Sequence, residues 1–260
     1  MDLPAGLVKV GEGREAEMFA LDDERVLRLY RGGFLRSSAE FQVQALEAAR
    51  SAGIRVPAVY ETTEVDGRVA VVMERIPGPD LLTVIGRQPW RVWWIGRVEG
   101  EAHAALGSAI APAAFPTTHE RYERKIRGSD AVPPEMAEAA IARLKTLPEG
   151  DHLLHGDFHH DNVLDGGDRG WLAIDPKGLS GERGFEYANL FRNPDVEIAL
   201  DPARLRRRAE IVAAASDLEP RRLLQWVRVY AVLGAAWSLE SGHDPAPGLA
   251  IGALAAAELG

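Results

Sequence analysis

A chain of 260 residues, 46% hydrophobic and 27% charged, is long enough for one large core or two lobes, and its balance excludes a disordered or fibrous protein. It has no cysteine, which excludes disulfides, thiolate metal sites and a cysteine nucleophile. The net charge of −9 argues against a nucleic-acid partner and suits a small cationic substrate.

No opening segment reads as a signal peptide, and no run approaches the roughly 18 apolar residues of a membrane span, so a cytoplasmic protein without a membrane partner is expected. Along the chain, Gly11-Glu12-Gly13 through Phe19 reads as a glycine-bearing hairpin. Val26–Tyr30 reads as a strand and Arg31-Gly32-Gly33 as a turn. Ser37-Ser38-Ala39-Glu40 is a capping-box pattern opening a helix with Val43, Leu46 and Ala49 on one face, ended by Gly53. A second strand covers Arg68–Met73 after an Asp66-Gly67 turn, and Met73-Glu74-Arg75-Ile76-Pro77-Gly78 reads as a boundary.

From Trp90 onward the pattern predicts helices over about 90–107, 134–146, 202–216 and 221–241, a β-rich segment over about 152–175, and a last helix from Ala246. The fold class expected is α+β, with a small β-rich N-lobe over 1–76 and a larger, mainly helical C-lobe over 77–260.

Chemistry concentrates in His155-Gly156-Asp157-Phe158-His159-His160-Asp161-Asn162-Val163-Leu164 and in Trp171-Leu172-Ala173-Ile174-Asp175-Pro176. Phosphoryl transfer needs one carboxylate to accept a hydroxyl proton and hard oxygen ligands for magnesium. Asp157 suits the first task, and Asn162 with Asp175 the second. A rival reading makes His155, Asp157, His159 and His160 ligands of a metal hydrolase. The binuclear pattern His-x-His-x-Asp-His is not met, because Asp157 stands where its second His belongs.

An Asp and an Asn five apart, followed by an apolar strand ending in Asp, match the kinase catalytic loop and metal site. The pattern resembles the aminoglycoside phosphotransferase and choline kinase superfamily, in which Gly replaces the middle Arg of the protein-kinase motif. Gly170 through Phe185, Ala188-Asn189, Leu200-Asp201-Pro202 and Pro220 through Leu224 resemble, more narrowly, the streptomycin 6-phosphotransferases. The resemblance implies a two-lobed protein-kinase-like fold and transfer of the γ-phosphoryl of ATP, with Mg2+, to the 6-hydroxyl of a streptomycin-like aminoglycoside.

It also implies site residues. Gly11 and Gly13 would cover the phosphates, and Arg28 stands where the phosphate-binding Lys is expected. Glu40 would be the ion-pair partner of Arg28, favoured over its capping role. Glu74 and Ile76 would offer backbone groups to adenine, and Glu186 would hold the catalytic loop. Asp161, Glu182, Asp195 and Glu197 are the acidic candidates for a cationic substrate. Trp90, Trp93, Trp94 and His103 read as core. Two further hypotheses stand beside this one: a metabolic kinase of an amino alcohol or sugar, and a nucleotide-binding pseudokinase whose support is Arg28.

Overall fold

The β-rich opening and helical remainder appear in a computed structural model, which describes residues 6–13, 15–87, 109–128, 132–192 and 199–260. In chain order these form β1 (Val8–Glu12), β2 (Ala16–Ala20), β3 (Arg25–Tyr30), α1 (Arg36–Ser51), β4 (Val59–Val65), β5 (Arg68–Glu74), α2 (Leu81–Arg87), α3 (Thr118–Arg127), α4 (Pro134–Leu144), β6 (His152–Leu154), β7 (Val163–Asp165), β8 (Trp171–Ala173), β9 (Leu179–Gly181), α5 (Arg183–Ala188), α6 (Pro202–Ser216), α7 (Pro220–Glu240) and α8 (Ala246–Leu259). By contact the chain divides into two compact units, residues 1–95 with 160–178, and residues 96–159 with 179–260. The lobe division after residue 76 is drawn from sequence alone, whereas by contact the segment 160–178 folds with the N-terminal strands.

In the first unit an antiparallel sheet has the order β1-β2-β3-β5-β4. Leu27 and Leu29 of the central strand pack with Val65 and Ala70 on one face. The two-residue period of a strand turns Val26, Arg28 and Tyr30 to the other. The Asp66-Gly67 turn joins β4 to β5 with φ of 50° and 68°, left-handed values that suit a two-residue hairpin and that Asp and Gly tolerate.

Helix α1 buries Ala39, Gln42, Ala45, Leu46 and Ala49, a three-to-four spacing of mostly small residues. Its expected capping box does not form. Leu35 occupies the cap position, and its carbonyl accepts from Ser38 and Ala39 at 3.0 and 3.2 Å, so the first turn closes before Ser37 can cap it. A capping box forms instead at α3, where the Glu120 N–H donates to the Thr117 hydroxyl and the Thr117 N–H to the Glu120 carboxylate, both at 3.1 Å.

After β5 the chain is tied to β7: the Asp165 N–H donates to the Pro79 carbonyl at 3.0 Å. Gly78 is required there, since a Cβ would lie 2.0 Å from the Asp165 carbonyl oxygen.

The second unit is built around α7, whose Leu223, Trp226, Val227, Tyr230 and Leu233 are buried among residues of α3, α4, α5, α6 and α8. Rings interlock within it, Tyr122 stacking on Phe185 at 4.9 Å and Phe185 meeting Trp226 edge-on at 5.7 Å. The helices expected at 134–146, 202–216, 221–241 and from 246 correspond to α4, α6, α7 and α8. The helix expected at 90–107, with Trp90, Trp93, Trp94 and His103, lies outside the described residues. Among the described residues no helix is long and apolar enough to cross a membrane.

Candidate active site

Hairpin register builds the metal-competent pair. Val163 of β7 lies opposite Ala173 of β8, and one step further the Ile174 N–H donates to the Asn162 carbonyl at 2.9 Å. Asn162 therefore enters the hairpin where Asp175 leaves it. Asn162 is buried. Asp175 adopts φ of 59°, a left-handed conformation uncommon for residues other than glycine and often retained at functional sites. A carboxylate and a side-chain amide at neighbouring positions of one hairpin offer the ligand chemistry a hard divalent cation takes.

Asp175 is held by two cations. Arg28 donates to Oδ1 at 2.5 Å and Lys177 to Oδ2 at 3.0 Å. Burial would raise the carboxyl's pKa, but the Arg28 charge and then the Lys177 charge outweigh it and hold the group well below the usual carboxylate range. The Arg28 guanidinium lies 4.9 Å over the Tyr30 ring, and its Nε is buried without a partner. The Tyr30 hydroxyl, pushed up to about 12 by burial, donates to Gln42 at 2.6 Å, and Gln42 donates to Glu15 at 3.2 Å.

This arrangement corrects the expected Arg28–Glu40 pair. Glu40 is exposed and bonds Arg36 one helical turn back at 2.9 Å. At 3.6 residues per turn it points away from the face that buries Ala39 and Gln42, so α1 presents a neutral amide to the site rather than a carboxylate.

The glycine hairpin is present as the β1–β2 turn, with Gly11 opposite Met18 and the Gly13 N–H donating to the Ala16 carbonyl at 2.8 Å. Glu74 closes β5, and its carboxylate accepts from the Ala58 N–H at 2.9 Å and from Arg169 at 2.6 Å. Ile76 follows, half-buried, and Asp161 is exposed in the 3-10 turn His160–Asn162.

Asp157 belongs to the second unit, Asn162 and Asp175 to the first. The Asp157 N–H donates to His155 Nδ1 at 3.3 Å, and its carboxylate lies 3.7 Å from His159 Nε2. His155 is buried edge-on to Phe158. Glu186 of α5 accepts from the Gly156 N–H with both oxygens, at 3.2 and 3.0 Å, and Asn189 donates to the Phe158 carbonyl at 3.0 Å. The loop carrying Asp157 is thus anchored from the helix beneath it. Among the described residues no group of three or more His, Asp or Glu side chains is arranged to hold a metal ion, so the hydrolase reading gains no support.

Burial pushes Glu186 up to about 7 from 4.5, although backbone donors at Gly156, His155 and Phe158 pull it down. Between those values the folded chain keeps a proton that the unfolded chain has released, so stability falls as pH rises from 4.5 to 7. Glu186→Gln lacks this proton. Urea unfolding should show the wild type gaining on the variant as pH falls from neutrality towards 5, by on the order of 2 kcal/mol.

Glu182 precedes α5 and accepts a short hydrogen bond from the Trp226 indole, with Arg222 at 3.9 Å. Asp195 and Glu197 lie outside the described residues. Sequence reasoning missed Lys177, Glu15 and Gln42 as site residues. Lys177 carried a signal, being a cation two residues beyond the metal-competent Asp; a buried glutamine on a helix carries none.

The profile of an "aminoglycoside/hydroxyurea antibiotic resistance kinase" family matches residues 111–242, just over half of the chain. Streptomycin 3''-kinase of Klebsiella pneumoniae is 52% identical over 110 residues, 40% of this chain and 41% of that protein. Streptomycin 6-kinase of Streptomyces glaucescens is 36% identical over 114 residues, 42% of this chain and 37% of that protein. The chain spans 37% to 58% of the lengths of the curated relatives it matches. Among solved structures, the aminoglycoside phosphotransferase APH(3'')-Id of Streptomyces rimosus, in complex with ADP and streptomycin, aligns over 88% of this chain and 92% of its own, with TM-score 0.59 and 14% identity. The likeness establishes an α+β, protein-kinase-like fold.

Proposed function

Because the chain belongs to the aminoglycoside/hydroxyurea antibiotic resistance kinase family, we propose that it transfers the γ-phosphoryl group of ATP to a hydroxyl of a cationic, streptomycin-like aminoglycoside. The observation that supports this reading is the hairpin register, which pairs Asn162, five residues after Asp157, with Ile174, the residue before Asp175. Asp157 orients the acceptor hydroxyl and takes its proton as the oxygen bonds to the γ-phosphorus and the bond to the β–γ bridging oxygen breaks. ADP is released. Asn162 and Asp175 would hold magnesium, which when bound neutralises charge on the transferring group. Glu186 and Asn189 keep the Asp157 backbone in place, so its carboxylate is oriented before the substrate arrives.

Substrate polarity agrees with the chain's own charge of −9, which attracts a guanidinium-bearing acceptor. The 6-hydroxyl is the acceptor position in this proposal, and the 3'' position is its rival, favoured by the 52% identity to a 3''-kinase. The N-lobe over 1–76 and C-lobe over 77–260 belong to the same reading, as do backbone contacts to adenine at Glu74 and Ile76. A coupled ADP-release assay over streptomycin, other aminoglycosides, hydroxyurea, amino alcohols and sugars tests it. Acceptor-dependent ADP formation with streptomycin, and a phosphorus-coupled proton at carbon 6 in the product's NMR spectrum, are expected. Release only with an amino alcohol or sugar makes the chain a metabolic kinase, and nucleotide binding without release to any acceptor makes it a pseudokinase.

A further inference from the structure

We propose that Lys177, not the β3 cation Arg28, is the residue that contacts the nucleotide phosphates, and that Arg28 is a positioning residue for Asp175. This rests on the kinase reading above.

Arg28 is committed where it stands. Its strand runs between β2 and β5, its guanidinium covers the Tyr30 ring at 4.9 Å, and it is bonded to Asp175. Reaching a phosphate would require giving up the ring and the carboxylate together. No acidic residue on α1 draws it elsewhere, because the inward position is Gln42. A planar guanidinium so placed fixes Oδ1 of Asp175 and leaves Oδ2 to Lys177.

Lys177 has the opposite character. Its ammonium lies 3.0 Å from Asp175 Oδ2 and 3.7 Å from the Glu15 carboxylate, which joins the hairpin of Asn162 and Asp175 to the glycine hairpin of Gly11 and Gly13. Those are the two segments that the kinase reading places on the phosphates. The backbone beneath the lysine is fixed: Gly178 has φ of 60°, and a Cβ there would meet Phe41 Cε1 at 2.8 Å and Ala45 Cβ at 3.0 Å, so the turn closes directly against α1. The side chain above that anchor is a flexible four-carbon stem with a compact charge.

Charge balance gives the exchange its direction. Arg28 and Lys177 both bear on the one carboxylate of Asp175, and Lys177 lies against Glu15 as well. A divalent cation at Asp175 repels an ammonium 3.0 Å from the same carboxylate, and the anion that accompanies the metal is the phosphate chain. Lys177 then moves from carboxylate to phosphate, while Arg28 stays.

The test is calorimetric binding of ATP, ADP and adenosine, with magnesium and in EDTA, to the wild type and to Lys177→Ala, Lys177→Met, Lys177→Arg and Arg28→Ala. Loss of the ammonium should weaken ATP and ADP binding on the order of 10- to 100-fold, in EDTA as well, and leave adenosine within about twofold. Lys177→Arg should recover part of the loss. Arg28→Ala should raise the magnesium concentration needed for half-maximal ADP binding while leaving EDTA binding of ADP close to wild type. Lys177→Met, which keeps the stem, covers the case in which the alanine variant fails to fold. Unchanged ADP affinity in both Lys177 truncations overturns the proposal and leaves the kinase reading standing. Equal losses for ADP and adenosine also overturn it, since they mark a residue needed for folding rather than for phosphate. A wild type that binds no nucleotide removes both.

Discussion

Asp157→Asn is expected to lower turnover by on the order of 10²-fold or more with nucleotide and acceptor affinities unchanged. The amide has nearly the shape of the carboxylate and can still accept a hydrogen bond from the acceptor hydroxyl, but it cannot take the proton as the new P–O bond forms. The surroundings tolerate the change. The Asp157 carboxylate is about a third exposed, at 36%, and the loop is held through its backbone, by His155 to the Asp157 N–H, Glu186 to the Gly156 N–H and Asn189 to the Phe158 carbonyl. Thermal melting should therefore be close to wild type. Steady-state kinetics should show the loss in kcat with KM nearly unchanged, the pattern of an interaction made only in the transition state. Wild-type turnover in this variant removes Asp157 from the mechanism.

That loop was legible because its chemistry is written in contiguous residues. Asp157 and Asn162 stand five apart on one segment, and the apolar run Trp171–Ile174 announces the short strand β8 before Asp175. The long helices were legible for a related reason: α6 and α7 each begin with proline and carry an apolar stripe at helical spacing. Elements whose residues do not show their environment were not. β4, Val59–Val65, is largely polar and lies at the sheet edge, so it lacks the apolar signature of β5. The cap pattern at Ser37 and that at Thr117 are equivalent as sequence, yet only the second caps a helix, because α1 begins one residue before Ser37.

The site partners show the same limit. Pairing Arg28 with Glu40 assumed that an acidic residue early in the helix faces the sheet, but which side of a helix faces inward is set by tertiary packing, and here packing selects Ala39 and Gln42. Long-range pairs such as Arg28 with Asp175, separated by 147 residues, are visible only in the fold. The cations around Asp175 are nevertheless what the chemistry demands once Gln42 is in place. A largely buried arginine needs a carboxylate, and the metal-competent one is within reach.

Asp175→Ala should abolish magnesium-dependent turnover and destabilise the chain as well. The first follows from the loss of the carboxylate ligand. The second follows because Arg28 and Lys177, with side chains 12% and 17% exposed, lose the anion they share. Removing one member of a buried pair costs roughly 3–5 kcal/mol; discounted for the residual solvent here, about 2 kcal/mol in urea unfolding is expected. Alanine also fits poorly at φ of 59°, so Asp175→Asn, whose side chain tolerates that conformation, isolates the electrostatic part. Because the native carboxyl is held below its ordinary value of 3.8, its stabilisation is present above that pH and lost below it, so the difference between wild type and Asp175→Asn should shrink as pH falls below about 4. Replacing the whole cluster separates the two effects. Arg28→Met and Lys177→Met combined with Asp175→Asn remove the three charges paired at Asp175 and leave Glu15 to solvent, so stability should return towards wild type while turnover stays absent. Turnover at wild-type level in Asp175→Asn would remove the ligand role, and a triple variant no more stable than Asp175→Ala would remove the electrostatic one.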